Sequence, residues 1–438
     1  MKHRPGASRR QFLAGTAGVS VSLLAGCSSI NGVLPDRVVY ARTRRRSVPE
    51  VETAVETTDT HLRTTAEEIT SYATDGLEAW NRLDEPSDRQ SASRHRMYRT
   101  DLERAAEFAD DLPTEPPVVD TVEAAGYHLS KAAAGFAYAR ATNADFDRDP
   151  SEKATVLLDE VDAAIDRFSY ETGDPETFLA YGHRIEYCLN QAGQGLRWRA
   201  DDADVERWRQ PDDAEEIADN YASVRRSELR LAEAAAYREA LRERDGGGDS
   251  VHETISESRQ VLGECVDDLR DDRARWFDRI DEFDGERRSV HGALYSRSDR
   301  SGTGVRYADR GFEVYGAVEL ANTWLLFETA RVERDRLEDG EAAELDAASI
   351  DAAKRDALDL LEDALASSSG PSTEYFLAEA RGWVSAGDSG IERRSRDDDE
   401  DREWGRANGY ARYLLGKGMV ERTPNAVALL TGAEDALE

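Results

Sequence analysis

Residues Phe312–Val332 read FEVYGAVELANTWLLFETARV. Phe312, Tyr315, Val318, Leu320, Trp324, Leu325, Phe327 and Val332 fall around nearly the whole circumference of a 3.6-residue turn, so the stretch reads as a helix buried on several sides. A helix of that kind has to be surrounded by other amphipathic elements. Strand-like alternation is nearly absent elsewhere in the chain, so those elements are helices too.

Working towards the amino terminus, Val51, Val55, Leu62, Ile69, Tyr72, Leu77, Trp80 and Leu83 recur three or four residues apart and predict one helix of about 35 residues, or about 50 Å. Pro86 ends it, and Ser87 supplies a hydroxyl cap for a second helix carrying Tyr98, Leu102, Ala105 and Leu112. Pro113, Pro116 and Pro117 stop that one. A third stripe runs from Val122 to Ala139, with Gly126 and Gly135 allowing close approach by a neighbour. Ser151 opens a fourth and Gly173-Asp174-Pro175 turns the chain into a fifth, while a sixth spans Pro211 to Asp245.

Gly246-Gly247-Gly248 interrupts the pattern, because a helix through three glycines loses about 1 kcal/mol per residue relative to alanine. Beyond it, Val251 to Phe283 forms a long stripe capped by Asp249 or Ser250, and a further helix covers Gly285 to Ser296. Ser301-Gly302-Thr303-Gly304 is a loop before the buried helix. Stripes from Ile350 to Leu365 and from Tyr375 to Val384 flank Gly370-Pro371, and two shorter helices, Trp404 to Lys417 and Pro424 to Leu437, close the chain. The expected fold is all-α, with long antiparallel amphipathic helices in bundles. At 438 residues the chain exceeds the size at which one core stops growing, so two domains or an irregular helical array are expected. The tetratricopeptide small and aromatic positions do not recur in register. The boundaries read as 1–26 signal peptide, 27–49 tether, 50–245 amino-terminal helical domain, 246–250 glycine-rich hinge and 251–438 carboxy-terminal helical domain.

Charge narrows the function classes. Asp and Glu number 90 against 57 Lys and Arg, a net charge of −33, and the only lysines are Lys2, Lys131, Lys153, Lys354 and Lys417. Such a chain repels itself at low ionic strength and is screened in molar salt, where the Debye length falls to about 3 Å. Nucleic acid is excluded as a partner, since the field has the wrong sign for phosphate contacts. The charge is spread through periodic, aromatic-containing segments, unlike an acidic disordered tail.

The first 27 residues carry an address. Arg9, Arg10, Phe12 and Leu13 precede a mildly apolar run that ends in Leu24, Ala25, Gly26 and Cys27. Basic start, short apolar stretch and small residues before a cysteine form a cleavable export segment, too short and too polar for a membrane span of about 20 residues. Ser-Arg-Arg-x-Phe-Leu resembles the twin-arginine export signal, and Leu-Ala-Gly-Cys resembles the lipobox. With the acidic, arginine-biased body, the whole resembles the twin-arginine-exported lipoproteins of halophilic archaea. That resemblance implies a thioether-linked lipid on Cys27, export in the folded state, and residence at the cell membrane on its extracellular face. Beyond the covalent lipid, no cofactor is expected. After the anchor, Ser28 to Pro49 reads as an irregular tether whose Arg42, Arg44, Arg45 and Arg46 either touch anionic headgroups or offset the acidic body.

Candidate sites are few. His183 and Glu186 sit at i and i+3 in YGHRIEY, so an imidazole and a carboxylate leave one helix face and form a candidate metal-ligating pair. The stretch is similar to the G-x-H-x-x-E signature of imelysin-like, iron-associated exported proteins, although Tyr181 stands where that pattern has glycine. An ordinary hydrogen-bonded histidine is the plainer reading. Cys188 and Cys265, the cysteines left once Cys27 is lipidated, are either two buried thiols or a disulfide contributing about 4 kcal/mol. Asp397-Asp398-Asp399-Glu400-Asp401 lacks the spaced oxygens and glycine of an EF-hand, and Gly302-Thr303-Gly304 lacks a phosphate-cradle context. No catalytic motif is present. The expected function is a membrane-anchored extracellular binding or scaffold lipoprotein with a protein or solute partner. The alternatives are a metal-binding imelysin-like protein and an enzyme whose residues, His183, His128 and His291 among them, converge from several helices.

Overall fold

The computed structural model describes residues 35–51, 55–84, 89–112, 119–146, 150–200, 213–298, 307, 310–339, 345–368, 370–392 and 399–433. Among them the chain is an all-α array. Its helices are α1 (Asp36–Arg45), α2 (Asp59–Trp80), α3 (Arg89–Asp110), α4 (Val119–Thr142), α5 (Pro150–Asp166), α6 (Pro175–Ala200) and α7 (Ala214–Arg244). They continue with α8 (His252–Arg279), α9 (Gly285–Arg297), α10 (Glu313–Glu338), α11 (Ala347–Ser367), α12 (Pro371–Glu392) and α13 (Asp399–Leu430). The strand content of the described residues is one antiparallel pair, β1 (Glu171–Thr172) with β2 (Asp249–Ser250). Cys27, the export signal, Pro86, Ser87, Pro113, Pro116, Pro117, the Gly302 loop, Asp397 and Asp398 lie outside the described residues.

Local chemistry sets the helix starts. Proline occupies the first position of α5, α6 and α12, where its missing N–H is an orphan in any case. Thr58, Asp213 and Asp346 cap α2, α7 and α11, their side chains accepting from the backbone N–H groups of His61, Glu216 and Ser349 at 3.3, 2.8 and 2.6 Å. The Thr58 cap explains one departure from the sequence pattern: the stripe from Val51 is not a single helix. Val55 is buried ahead of α2, and the helix begins only after Thr57-Thr58.

Two further expectations are revised. Of Asp249 and Ser250, only Ser250 meets the start of α8, its hydroxyl accepting from the His252 N–H at 3.4 Å; the N-cap position itself is Val251, and both residues pair with β1. A Cβ on Gly248 would lie 2.3 Å from the Thr172 carbonyl oxygen, so only glycine fits this approach. Likewise, the last two helices are one, α13, which continues through Pro424. An internal proline costs about 3 kcal/mol. Here the Thr423 hydroxyl donates to the Met419 carbonyl at 2.9 Å, the Arg422 guanidinium donates to that of Gly418 at 3.0 Å, and Tyr413, Leu415, Met419, Ala426 and Leu430 are all buried. Tertiary packing outweighs the local penalty.

The tether also differs from its reading as irregular. Residues 36–45 form α1, which buries Val39, Tyr40 and Thr43 against α11. Lys354, with no exposed side-chain surface, donates to the carbonyls of Thr43 and Arg46 at 2.9 and 3.0 Å and to both oxygens of Asp388 at 2.8 and 2.9 Å. Tyr413 donates to Asp388 at 2.7 Å. Beside them, buried Asp351 accepts from the Thr43 hydroxyl at 2.8 Å and pairs with Arg46 and Arg355, each at 3.3 Å. Burial pushes the Asp351 carboxyl up, but Thr43 and the guanidiniums more than offset this and hold it below its ordinary value.

The largest core runs across the glycine-rich connection. Phe178, Tyr181, Ile185 and Leu189 of α6 share it with Val314, Leu325, Phe376 and Tyr413 of the later helices. The buried helix read from Phe312–Val332 is its axis: Phe312, Val314, Ala317, Ala321 and Leu325 have no exposed surface. Smaller cores join α2, α3, α4 and α7, where Leu102 seats on Gly135 so closely that a Cβ there would be 2.6 Å away. Among the described residues, no helix is long and apolar enough to cross a membrane.

Candidate functional site

α6 starts at Pro175, its first turn held by Asp174, whose carboxylate accepts from the Thr177 hydroxyl at 2.7 Å. Two turns on, His183 and Glu186 both point inward, towards α10. Glu186 accepts from the Tyr315 backbone N–H at 2.7 Å and from the Tyr170 hydroxyl at 3.1 Å. It therefore satisfies one of the orphan donors in the first turn of α10. Burial raises its pKa to about 8, against the opposing pull of these two hydrogen bonds. His183 lies with its ring centroid 4.7 Å from that of Tyr375 and 5.1 Å from that of Tyr315. Its Nε2 is 3.6 Å from Glu319 Oε1, and neither ring nitrogen makes a hydrogen bond. Burial lowers its pKa and Glu319 only partly counters this, so the ring is neutral at pH 7. The pair thus shares a helix face but divides the work between a helix terminus and a tyrosine cage. Among the described residues, no group of three or more His, Cys, Asp or Glu is placed to hold a metal ion.

The other candidates are apart. His128 stacks on Phe108 at 4.2 Å, and His291 stacks on Phe283 at 3.9 Å while accepting from the Trp276 indole at 3.2 Å. Burial pulls the His291 pKa down to about 4. The three histidines do not converge. Cys188 and Cys265 are free thiols, so the bridge considered between them is not formed. Cys188 faces Glu233 across the α6–α7 contact, Sγ to Oε2 3.5 Å, and Glu233 in turn takes Arg230 at 2.6 Å; Cys265 is half-buried on α8. Burial, then the Glu233 charge, raise the Cys188 thiol pKa well above its ordinary value, the opposite of a nucleophile's environment.

A groove between α5, α6 and α7 has a different character. One cavity of about 220 Å³ has Ile185, Leu189 and Ala234 as its floor, Phe168 as a wall, and Arg167 and Arg238 at its rim. A second, of about 470 Å³, shares Phe168 and Arg238 and runs on past Arg242 to Gly246-Gly247. Many arginines of the described residues are ion-paired, Arg184 with Glu123, Arg225 with Glu68 and Arg230 with Glu233 among them. Arg238 and Arg242 form no ion pair among the described residues, and burial together with the nearby charges of Arg242 and Arg167 lowers the pKa of Arg238. Asp245, at the far end, is occupied: its carboxylate accepts from the Thr172 hydroxyl and from the N–H of Gly173 at 2.9 Å and of Gly247 at 3.2 Å.

Sequence reasoning passed over these arginines, yet a signal exists. Positions three and four residues either side of Arg238 are Ala234, Ala235, Leu241 and Arg242, with no carboxylate among them. In a chain with 90 acidic residues that is a conspicuous gap, and it places two like charges one turn apart.

Residues 60–249 match a family model described as Domain of unknown function (DUF8262), and residues 248–432 match another described as Domain of unknown function (DUF8264). No curated protein matches the chain. No solved structure matches it either.

Proposed function

We propose that the mature chain is a membrane-anchored binding lipoprotein, held by a lipid on Cys27 outside the cell, that takes its ligand in the groove between α5, α6 and α7. The observation that carries this reading is Arg167 and Arg238 beside a cavity with an apolar floor, and Arg238 and Arg242 beside the adjoining one, in a chain of net charge −33. Arg238 and Arg242 form no ion pair with the carboxylates that line the same cavities, Glu160, Glu171 and Asp245, so their mutual repulsion is a cost that an anionic ligand removes.

The docking of α1 supports the anchored half of the reading. From Cys27 to Asp36 the chain reaches at most about 30 Å, so a helical body clasping α1 stands close to the bilayer. Arg46 is taken up by Asp351, while Arg37, Arg42 and Arg45 are exposed on the helix. Each exposed arginine contributes about 1 kcal/mol towards anionic headgroups at physiological ionic strength and less in molar salt. Purification from membranes in molar KCl, with mass spectrometry of the amino-terminal peptide and of bound small molecules, tests both halves. Expected are a lipidated Cys27 and a species lost from Arg238→Gln/Arg242→Gln; an uncleaved chain in the cytosol contradicts the anchor.

One observation favours a second reading, metal binding at His183. Its two ring nitrogens are buried without hydrogen bonds, and Glu319 stands 3.6 Å away. Metal content after incubation with iron or copper decides it: His183→Ala must bind less than the parent for the reading to stand.

A further inference from the structure

Resting on the groove as the ligand site, we infer that the ligand is a singly charged amphiphile, a carboxylate carrying one apolar tail. The head is set by the arginines. Arg238 and Arg242, one turn apart on α7 and lining the same cavity, present planar forks that match a carboxylate, and Arg167, in the turn after α5 with its Nε donated to the Ala163 carbonyl at 2.7 Å, lines the adjoining cavity with Arg238. The tail is set by the floor. From Phe168 the cavity continues over Ile185, Leu189, Leu231 and Ala234, which offer no hydrogen-bonding side chains. A sugar or polyol would need several directed polar groups there; an acyl chain needs none.

The remaining carboxylates fix the charge count. Asp245 is saturated by the Thr172 hydroxyl and loop amides, and the exposed Glu160 and Glu171 line the first and second cavity respectively. These acids repel a second negative charge, so a monoanion is favoured over a dicarboxylate or a phosphate. Together the two cavities reach the 300–1,000 Å³ range of small-molecule sites, whereas the apolar one alone, about 220 Å³, admits only a short tail.

Calorimetric titration of the full mature protein in molar KCl tests this, with octanoate, acetate, 1-octanol and inorganic phosphate as probes. Octanoate is expected to saturate at one site, with acetate, octanol and phosphate each at least about tenfold weaker. Arg238→Gln and Arg242→Gln should each weaken octanoate by about tenfold, and Ala235→Asp, a surface change that sets a carboxylate beside the tail, should weaken it further. Helical circular dichroism of each variant confirms folding. Equal binding of acetate and octanoate, unchanged affinity in the arginine variants, or no saturable octanoate binding overturns the inference. If octanoate fails but the arginine variants lose a co-purified molecule of another chemistry, the groove stands and only the ligand class falls. If the variants lose nothing, both fall.

Discussion

Two clusters of cations in this molecule are built on opposite plans. At the α1–α11 contact, Lys354 is hydrogen-bonded to Asp388 and to the carbonyls that end α1, and Arg46 and Arg355 are ion-paired with Asp351. In the α5–α6–α7 groove, Arg238 and Arg242 are left with each other and with Arg167. A buried charge is tolerated only when paired, so the first cluster is part of the fold. The second sits where water still reaches it, and on the proposed reading its worth lies in what it can attract. Pairing, rather than the mere presence of cations, is what distinguishes the two clusters.

Substitutions should therefore behave differently at the two places. Lys354→Met leaves two carbonyls without their donor and Asp388 with Tyr413 but no cation, and a loss of about 3 kcal/mol in denaturant unfolding is expected; a loss below 1 kcal/mol would mean that the cluster is ornamental. Asp351→Asn keeps an acceptor for Thr43 but removes the charge facing Arg46 and Arg355. About 1–2 kcal/mol should go, with faster tryptic cleavage at Arg42 to Arg46 as α1 loosens. Salt sharpens the contrast. The Lys354→Met penalty should change little between 0.5 M and 3 M KCl because the ammonium is fully buried, whereas affinity for an anion in the groove should fall over that range.

The His183–Glu186 face gives a pH signature of intermediate size. Glu186 keeps its proton to about pH 8 in the fold but loses it near 4.5 when unfolded, so it lowers stability progressively as pH rises between those values. His183 and His291 have folded pKa values below the ordinary 6.5, so the unfolded chain binds their protons first and stability falls as pH drops below 6.5, towards 4 for His291. Glu186→Gln should flatten the alkaline limb of a melting-temperature profile and leave the acid limb in place. An unchanged alkaline limb would refute a protonated Glu186.

How much of this was legible depended on range. Helices announced by stripes and caps, from Leu102 to Trp383, are present because periodicity and proline act within a few residues. The buried character of Phe312–Val332 was likewise local. Elements decided by distant partners were not readable: α1 is helical because Asp351 and Lys354 hold it, and α13 passes Pro424 because packing against several helices outweighs one missing hydrogen bond. His183 and Glu186 were visible as one face, but the Tyr315 N–H and Glu319 that define their roles lie about 130 residues away. The unpaired arginines were legible in principle, as a gap in the acidic pattern around Arg238, and were missed because charge was read as a total rather than position by position.

The smallest expected effect on stability is also the most direct test. Arg238→Gln/Arg242→Gln should melt within about 0.5 kcal/mol of the parent, or slightly above it as repulsion is relieved, since surface changes away from any partner cost little. Thermal melting of parent and double variant in molar KCl, with and without saturating octanoate, reads stability and binding together. Equal melting temperatures without ligand, and a ligand-induced rise in the parent alone, are the predicted result. A double variant that melts several degrees lower without ligand, or that is stabilised by octanoate as fully as the parent, would contradict the assignment of these arginines to a ligand.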